Sequence, residues 1–333
     1  MALTLTTPSD YQVFQRNNND IGTITITGTA TANDVLVEAR WDGGDWTAID
    51  TTAANAFSGS LTGSPGQGTL EVREDGGAVE DSATFVGIGD IFVIAGQSNA
   101  SGRGDNNQTY AHATLKAGRF DNIYEWKQLQ DKLDSNVGGT QTDVVSSDGG
   151  AGGTYWLKMA TDYLAEQEIP CAFVPCAKGN SSVTEWLDIG TDTSKLFGSM
   201  MNRINEVGGA RLVVWHQGET DAANEMGAAT YQGHLETMAN GLKAQGGPPL
   251  MACLLQNSAN FPDADEEEIR QGTRDAASAN DWITLGPDFS DLTDDGDGVH
   301  FTEDATLTTA GARWATAVNN WIKAQESAKT ILT

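Results

Sequence analysis

The chain has 333 residues, with 19 Lys and Arg against 46 Asp and Glu, giving a formal charge of -27 at pH 7. That length allows two domains and a sizeable core, and an ordinary apolar fraction with nine tryptophans excludes a disordered linker. So acidic a surface would repel nucleic acid and anionic membrane, which removes both as expected partners.

Three cysteines, Cys171, Cys176 and Cys253, form neither a disulfide framework nor a CxxC zinc pair. Cys171 and Cys176 flank an apolar run and are expected as buried thiols. No run of 18 apolar residues predicts a membrane span. The opening "MALTLTTPSDYQ" lacks a basic start and an apolar core, so no secretory signal is visible. The protein is then expected either to stay inside or to leave by a route that needs no signal, on a phage particle or by lysis.

From Asp20 to Val86 the apolar residues recur with period two in "GTITITGTA", "VLVEARWDGGDWTAID", "AFSGSLTG" and "GTLEVRED", separated by Gly, Asn, Asp and Pro. Short strands with turn signals predict a small all-β sandwich of the immunoglobulin or fibronectin type over residues 1–88. Asp42-Gly43-Gly44-Asp45 reads as a hairpin turn. Trp41 and Trp46 would serve there either as a sugar platform or as packing.

From Asp90 the rhythm becomes strand, loop, helix. Apolar strands are expected at Ile91–Ala95, Cys171–Cys176, Leu212–His216, Leu250–Gln256 and Trp282–Leu285. Helical faces are formed by Leu196, Met200, Ile204 and Val207, by Tyr231, Leu235, Met238 and Leu242, and by Ala310, Trp314, Ala317 and Trp321. This alternation predicts an α/β domain over residues 89–333, with a mainly parallel five-stranded sheet covered on both faces. Residues 106–153 have weak patterning and read as loop, with one helix around Glu125 to Leu133.

Sites in such sheets form beyond the carboxyl ends of the strands, and Ser98 stands at one such end, in Gly96-Gln97-Ser98-Asn99. A serine hydroxyl needs a base to act as a nucleophile. Four histidines exist. His112 lies in the long loop, His234 in mid-helix, and His216 at the end of a strand. His300 follows Asp297 by three residues, close enough for a carboxylate to hold its ring and fix its tautomer. His300 is therefore the expected base, although a solvated acidic loop with an incidental histidine has the same spacing. Asp291, Asp294, Asp295 and Asp297 supply oxygen ligands but fail the calcium-loop spacing, so no metal is expected.

Donors for a developing oxyanion are expected from the N–H of Ser98, from Gly179 and from the side-chain amide of Gln217. Glu219 and Asp221, two residues apart, are expected to hold the loop rather than act across a glycosidic bond, with Glu219 paired to Arg103. Trp126, Trp156 and Trp186 would either frame the site or pack in the core.

The blocks "GQSN", "KGNSSVTEW", "WHQGETD" and "DGVH" resemble the ordered motifs of SGNH-type hydrolases. The closest likeness is to the carbohydrate-esterase branch related to sialate O-acetylesterases and acetylxylan esterases. The resemblance covers Asp90 to Lys323; the β-rich start lies outside it. It implies a three-layer flavodoxin-like domain in which Ser98 is the nucleophile and first oxyanion donor, Gly179 the second donor and Gln217 the third. Asp297 and His300 complete the triad. Gln97, Asn99, Arg103, Asn180, Glu219 and Asp221 fall in supporting positions. Gly179-Asn180-Ser181 stands where the esterase branch carries Gly-Gly-Thr. Relatives with Asp-x-His leave Asp294 or Asp295 open as the group orienting His300.

The implied reaction is removal of an O-acetyl group from a poly- or oligosaccharide through an acetyl-serine, with no metal or organic cofactor. The acetylated carbohydrate is the expected partner, and residues 1–88 would serve assembly or glycan contact. A lipolytic or thioester-cleaving SGNH hydrolase is one alternative reading. The other is a non-catalytic glycan-binding or structural module of a phage or cell-surface assembly.

Overall fold

The computed structural model describes residues 3–134, 143–148, 151–293 and 296–332. The period-two runs form β1 (Leu3–Thr7), β2 (Val13–Gln15), β3 (Gly22–Ala30), β4 (Leu36–Trp41), β5 (Thr47–Thr51), β6 (Ala56–Gly63), β7 (Gly66–Glu74) and β8 (Val79–Gly96). In β3, Ile24 and Ile26 are buried while Thr23 and Thr25 face water, as one buried sheet face requires.

Strands β1, β3 and β6 make one antiparallel sheet. Strands β4, β5, β7 and the first half of β8 make a second, which β2 joins parallel to β8. Ile24 and Phe57 from the first sheet share a buried cluster with Val37, Leu70, Val72 and Val86 from the second. The expected turn after β4 places Asp42 and Gly43 at φ 51° and 70°, where left-handed backbone suits a tight hairpin. Trp46 lies under the guanidiniums of Arg40 and Arg73, at 4.6 and 4.1 Å from its ring. Trp41 donates its Nε1 to the Val86 carbonyl at 3.0 Å. Both are therefore packed.

Strand β8 does not stop at the compositional change near residue 88. Its last seven residues enter a third, mainly parallel set of strands, with Asp90–Ile94 parallel to β11 (Cys171–Pro175) and Phe92–Gly96 parallel to β12 (Leu212–His216). Ahead of β11 in the chain come α1 (Ser98–Ser101), β9 (Gly118–Phe120), β10 (Trp126–Gln128) and α2 (Trp156–Gln167). Between β11 and β12 comes α3 (Leu196–Glu206). Following β12 are α4 (Glu219–Ala223), α5 (Ala228–Ala244), β13 (Leu250–Leu254), α6 (Asp263–Ala279), β14 (Ile283–Asp288) and α7 (Asp304–Leu332).

The sheet order is β10-β9-β11-β8-β12-β13-β14, parallel except for β10 against β9. It is thus two short strands wider than the five apolar runs. The helix expected from Glu125 to Leu133 is not formed. Trp126, Leu129 and Leu133 have helical spacing, but residues 126–128 pair with β9, and Leu129 donates its N–H to Ala117 O at 2.8 Å. Tertiary pairing overrides the local period there.

Alternate side chains of β8 enter opposite cores. Ile91, Val93 and Ala95 pack with Met200, Leu235 and Ile269, from α3, α5 and α6. Phe92 and Ile94 pack with Trp156, Tyr163 and Trp314, from α2 and α7. The three cysteines are free and buried. Among the described residues, no helix is long and apolar enough to cross a membrane.

At the start of this run Asp90, fully buried, accepts five bonds. Its Oδ1 takes Gln15 Nε2 (3.0 Å), Arg16 Nε (3.0 Å) and Arg211 Nε (2.7 Å). Its Oδ2 takes an Arg16 NH at 2.8 Å and Tyr163 Oη at 2.6 Å. The N-terminal strands are tied here to the base of the parallel sheet.

Candidate active site

The carboxyl end of β8 reaches Gly96 at φ 121°. A Cβ at this position would lie 2.0 Å from the His216 carbonyl, so only glycine lets β8 and β12 come this close. Gln97 donates its N–H to His216 O at 3.0 Å, and Ser98 then opens α1. As the first helical residue, Ser98 has an N–H without an intrahelical acceptor. The loop after β11 is drawn to the same place, because Lys178 donates its N–H to Gly96 O at 2.9 Å.

Ser98 Oγ lies 2.8 Å from His300 Nε2, and His300 Nδ1 lies 2.7 Å from Asp297 Oδ2. The backbone N–H groups of Val299 and His300 both reach Asp297 Oδ1 at 2.9 Å, which explains why a three-residue spacing suffices. Burial tends to raise the Asp297 carboxyl, but the bonds from the His300 ring and these two N–H groups hold it below its ordinary value. Asp294 and Asp295 lie outside the described residues. Asp291 pairs with Arg313, by two contacts.

These groups open on a cavity of about 730 Å³ whose lining includes Gln97, Ser98, Gly179, Asn180, Glu219 and His300. Arg103 also lines it, but its partner differs from the expected one. It reaches Asp148, not Glu219. A Cβ at Gly179 would lie 2.2 Å from Asp148 Oδ2 and 2.9 Å from Arg103, so this glycine makes room for the ion pair. Asn180 follows at φ 61°.

Glu219 is committed to a network beneath the serine. Asn99 Nδ2 donates to Glu219 Oε1 at 2.6 Å and to Val299 O at 3.2 Å, while Asn99 Oδ1 accepts the Phe301 N–H at 3.0 Å. Gln256 Nε2 donates to the same two acceptors, at 3.3 and 3.2 Å. Asn99 therefore grips the backbone on either side of His300, and Gln256 holds the Val299 side. Gln256 Oε1 faces His216 Nε2 at 2.9 Å, and His216 Nδ1 faces Tyr155 Oη at 2.7 Å. Burial lowers the His216 pKa, and it holds this network as a neutral ring. Of the two histidines near the carboxyl edge, only His300 touches the serine.

Gln217 differs from the expected geometry. Its Nε2 donates to Gln97 Oε1 (3.0 Å) and Ser181 O (3.1 Å), and it also contacts Asp221 Oδ2. Its Oε1 accepts from Tyr231 Oη at 3.0 Å. Two amide hydrogens face three acceptors, so a hydrogen bond to an oxyanion would have to displace one of them. Asp221 also accepts Ser182 Oγ at 2.5 Å and Val183 N at 2.9 Å, so it anchors the loop, as its spacing suggested.

Trp156 and Trp186 are fully buried, and Trp126 packs against the core; none of them lines the cavity. Asp148, Gln256 and Phe261 were not singled out from the sequence. Gln256 had a usable signal, as the first polar residue beyond an apolar strand, the same signal that points to Ser98. His112 accepts the Leu115 N–H at 3.0 Å in its own loop, and His234 lies within α5.

A family model described as carbohydrate esterase, sialic acid-specific acetylesterase, matches residues 88–320. A probable carbohydrate esterase of Arabidopsis thaliana is 24% identical over 171 residues, 46% of this chain and 62% of that protein. The chain thus aligns with less than two thirds of that curated relative. Among solved structures, a carbohydrate acetylesterase from Xanthomonas citri superposes with a TM-score of 0.63 at 18% identity, covering 95% of this chain and 74% of the other. A protein from Arabidopsis thaliana superposes with a TM-score of 0.55 at 19% identity, covering 69% and 97%. At these identities the structural likeness establishes the fold.

Proposed function

The chain belongs to the carbohydrate esterase, sialic acid-specific acetylesterase family, and on that premise we propose that it is a serine esterase that removes O-acetyl groups from a poly- or oligosaccharide. The observation that carries this reading is the chain of two short contacts from Ser98 Oγ through the His300 ring to Asp297, at 2.8 and 2.7 Å. It opens on a cavity large enough for a sugar residue.

In this mechanism His300 Nε2 takes the Ser98 proton as Oγ attacks the acetyl carbon, and Asp297 stabilises the imidazolium that forms. The N–H groups of Ser98 and Gly179 bind the oxyanion; Gln217 joins them only by exchanging one of its internal bonds. Collapse of the tetrahedral intermediate breaks the ester C–O bond, and His300 returns the proton to the sugar oxygen. Water, deprotonated by the same imidazole, then attacks the acetyl-serine, releasing acetate and restoring Ser98.

We read residues 89–333 as a three-layer flavodoxin-like SGNH hydrolase domain. Residues 1–88 read as an all-β sandwich accessory domain, with packed tryptophans that favour assembly or a rigid support over sugar binding.

Replacing Ser98 with Ala tests the assignment. Acetate release from an acetylated oligosaccharide, followed by NMR, should fall by a factor on the order of 10⁶. Stability should move by no more than about 1 kcal/mol, the worth of one hydrogen bond. Acetate release at the wild-type rate by a folded S98A protein would refute it.

A further inference from the structure

We propose that Phe261 is the platform on which the sugar ring of the substrate rests, making it a specificity-determining residue; the proposal rests on the esterase reading of the Ser98 site. The cavity wall is mostly polar or charged, with Asn180, Thr220, Asn224 and the Arg103–Asp148 pair around the serine. Among the described lining residues, Phe261 carries the only ring besides the His300 imidazole. It is half-buried, and the tryptophans that could have framed the site are packed elsewhere. A pyranose presents apolar C–H faces with a hydroxyl rim. One flat apolar surface among hydrogen-bonding groups matches that shape, because the aromatic face covers the C–H carbons while the rim bonds to the polar walls.

The loop that carries the ring is also tied to the loop of the proposed reacting groups. Phe261 sits between β13 and α6, on a loop bonded to the one that carries Asp297 and His300. Asn260 Nδ2 donates to Asp297 O at 3.1 Å, and Ser258 Oγ donates to Gly298 O. Gly298, at φ 84°, approaches so closely that a Cβ there would lie 2.5 Å from Asn260 Nδ2. Ser258 is held in turn by its N–H to Glu266 Oε1 at 2.6 Å, and Pro262 fixes the entry to α6. The backbone beside Phe261 is therefore joined directly to the backbone beside His300, which places this wall of the cavity relative to the serine.

A long acyl chain would need a continuous apolar wall. Among the described residues, the lining offers only Ala223 and Val299 besides Phe261.

The test compares an acetylated oligosaccharide with ethyl acetate, which has the same acyl group but no ring, by acetate release. F261A should raise KM for the oligosaccharide about ten-fold, a change in free energy of about 1.4 kcal/mol, with kcat nearly unchanged. Turnover of ethyl acetate should stay within two-fold of wild type, about 0.4 kcal/mol. F261W should restore KM, and F261L, apolar but not flat, should not. Equal loss on both substrates would make Phe261 a support for the triad loop and overturn the proposal. So would unchanged KM, or a shift in preference between ethyl acetate and ethyl octanoate, which would mark an acyl wall. Oligosaccharide binding to S98A, with and without F261A, reads the contact without turnover. Binding that weakens with F261A while wild type releases no acetate would sink the esterase reading and leave the platform standing.

Discussion

The two ends of the apolar run in β8 both carry buried polar groups, and they are built differently. Asp90 at the base has five donors on two oxygens, from residues as far apart in sequence as Gln15 and Arg211. No capacity is left over, and the carboxylate serves as a joint. Ser98 at the top meets one imidazole and faces a cavity, above a network in which Glu219 accepts through Oε1 while its Oε2 has no hydrogen-bond partner. In the sequence both look alike, polar residues at the two ends of "IFVIA", Asp90 directly before it and Ser98 after Gly96 and Gln97. Burial with complete satisfaction marks architecture, and burial with capacity held open marks chemistry.

Breaking the base should have the larger effect on stability. In D90N the Arg16 guanidinium, 2% exposed, loses its buried partner and keeps only the partly exposed Asp20 and Glu326 carboxylates. Removing one partner of a buried ion pair costs about 3–5 kcal/mol. Guanidinium unfolding should register that loss as a lower midpoint, while kcat of the folded protein stays at the wild-type value. Wild-type stability in D90N, or a kcat loss without a stability loss, would collapse the distinction between the two ends.

The support under the serine gives a smaller and mixed effect. Asn99 grips both sides of His300 through Val299 O and Phe301 N, without itself accepting a proton in the reaction. N99A should cost about 1–3 kcal/mol of stability through unpaired buried groups. It should lower kcat by a factor on the order of 10², the penalty for misplacing a catalytic group by about 1 Å, with KM little changed. A rise in KM at constant kcat would instead place Asn99 against substrate.

The three groups proposed to react, Ser98, His300 and Asp297, were legible because a strand end, a hydroxyl and an Asp-x-x-His turn are local signals, and their side chains meet in the structure. The partners that orient them were not. Arg103 finds Asp148, which sits in a glycine-rich stretch with no periodicity to place it. The Gln217 amide lies where "WHQGETD" suggests, yet its direction is set by Gln97, Ser181 and Asp221, and no local pattern encodes that. The boundary near residue 88 is real as a change in composition, but the backbone runs through it as one strand. Gly89 makes this possible, since a Cβ there would lie 1.9 Å from Pro170 O. The core tryptophans show the same limit: residue type does not say which wall an indole faces.

Acid titration separates the two ends most finely. Burial alone would raise the Asp90 carboxyl, but Arg16, Arg211 and Tyr163 outweigh it and hold it below 3.8 in the folded protein. A carboxyl depressed on folding binds fewer protons folded than unfolded. Its contribution is therefore fully present above the unfolded value and is lost as pH falls through the folded one. The stability gap between wild type and D90N should stay constant from neutral pH down to about the ordinary carboxyl value, then narrow below it. Asp297 is depressed as well, but it is common to both proteins and cancels in the difference. Thermal midpoints of the pair across this range read the gap directly. A gap that instead widens as pH falls, above the ordinary carboxyl value, would mean that Asp90 binds its proton more tightly folded than unfolded, and the joint would then be held by hydrogen bonds rather than by charge.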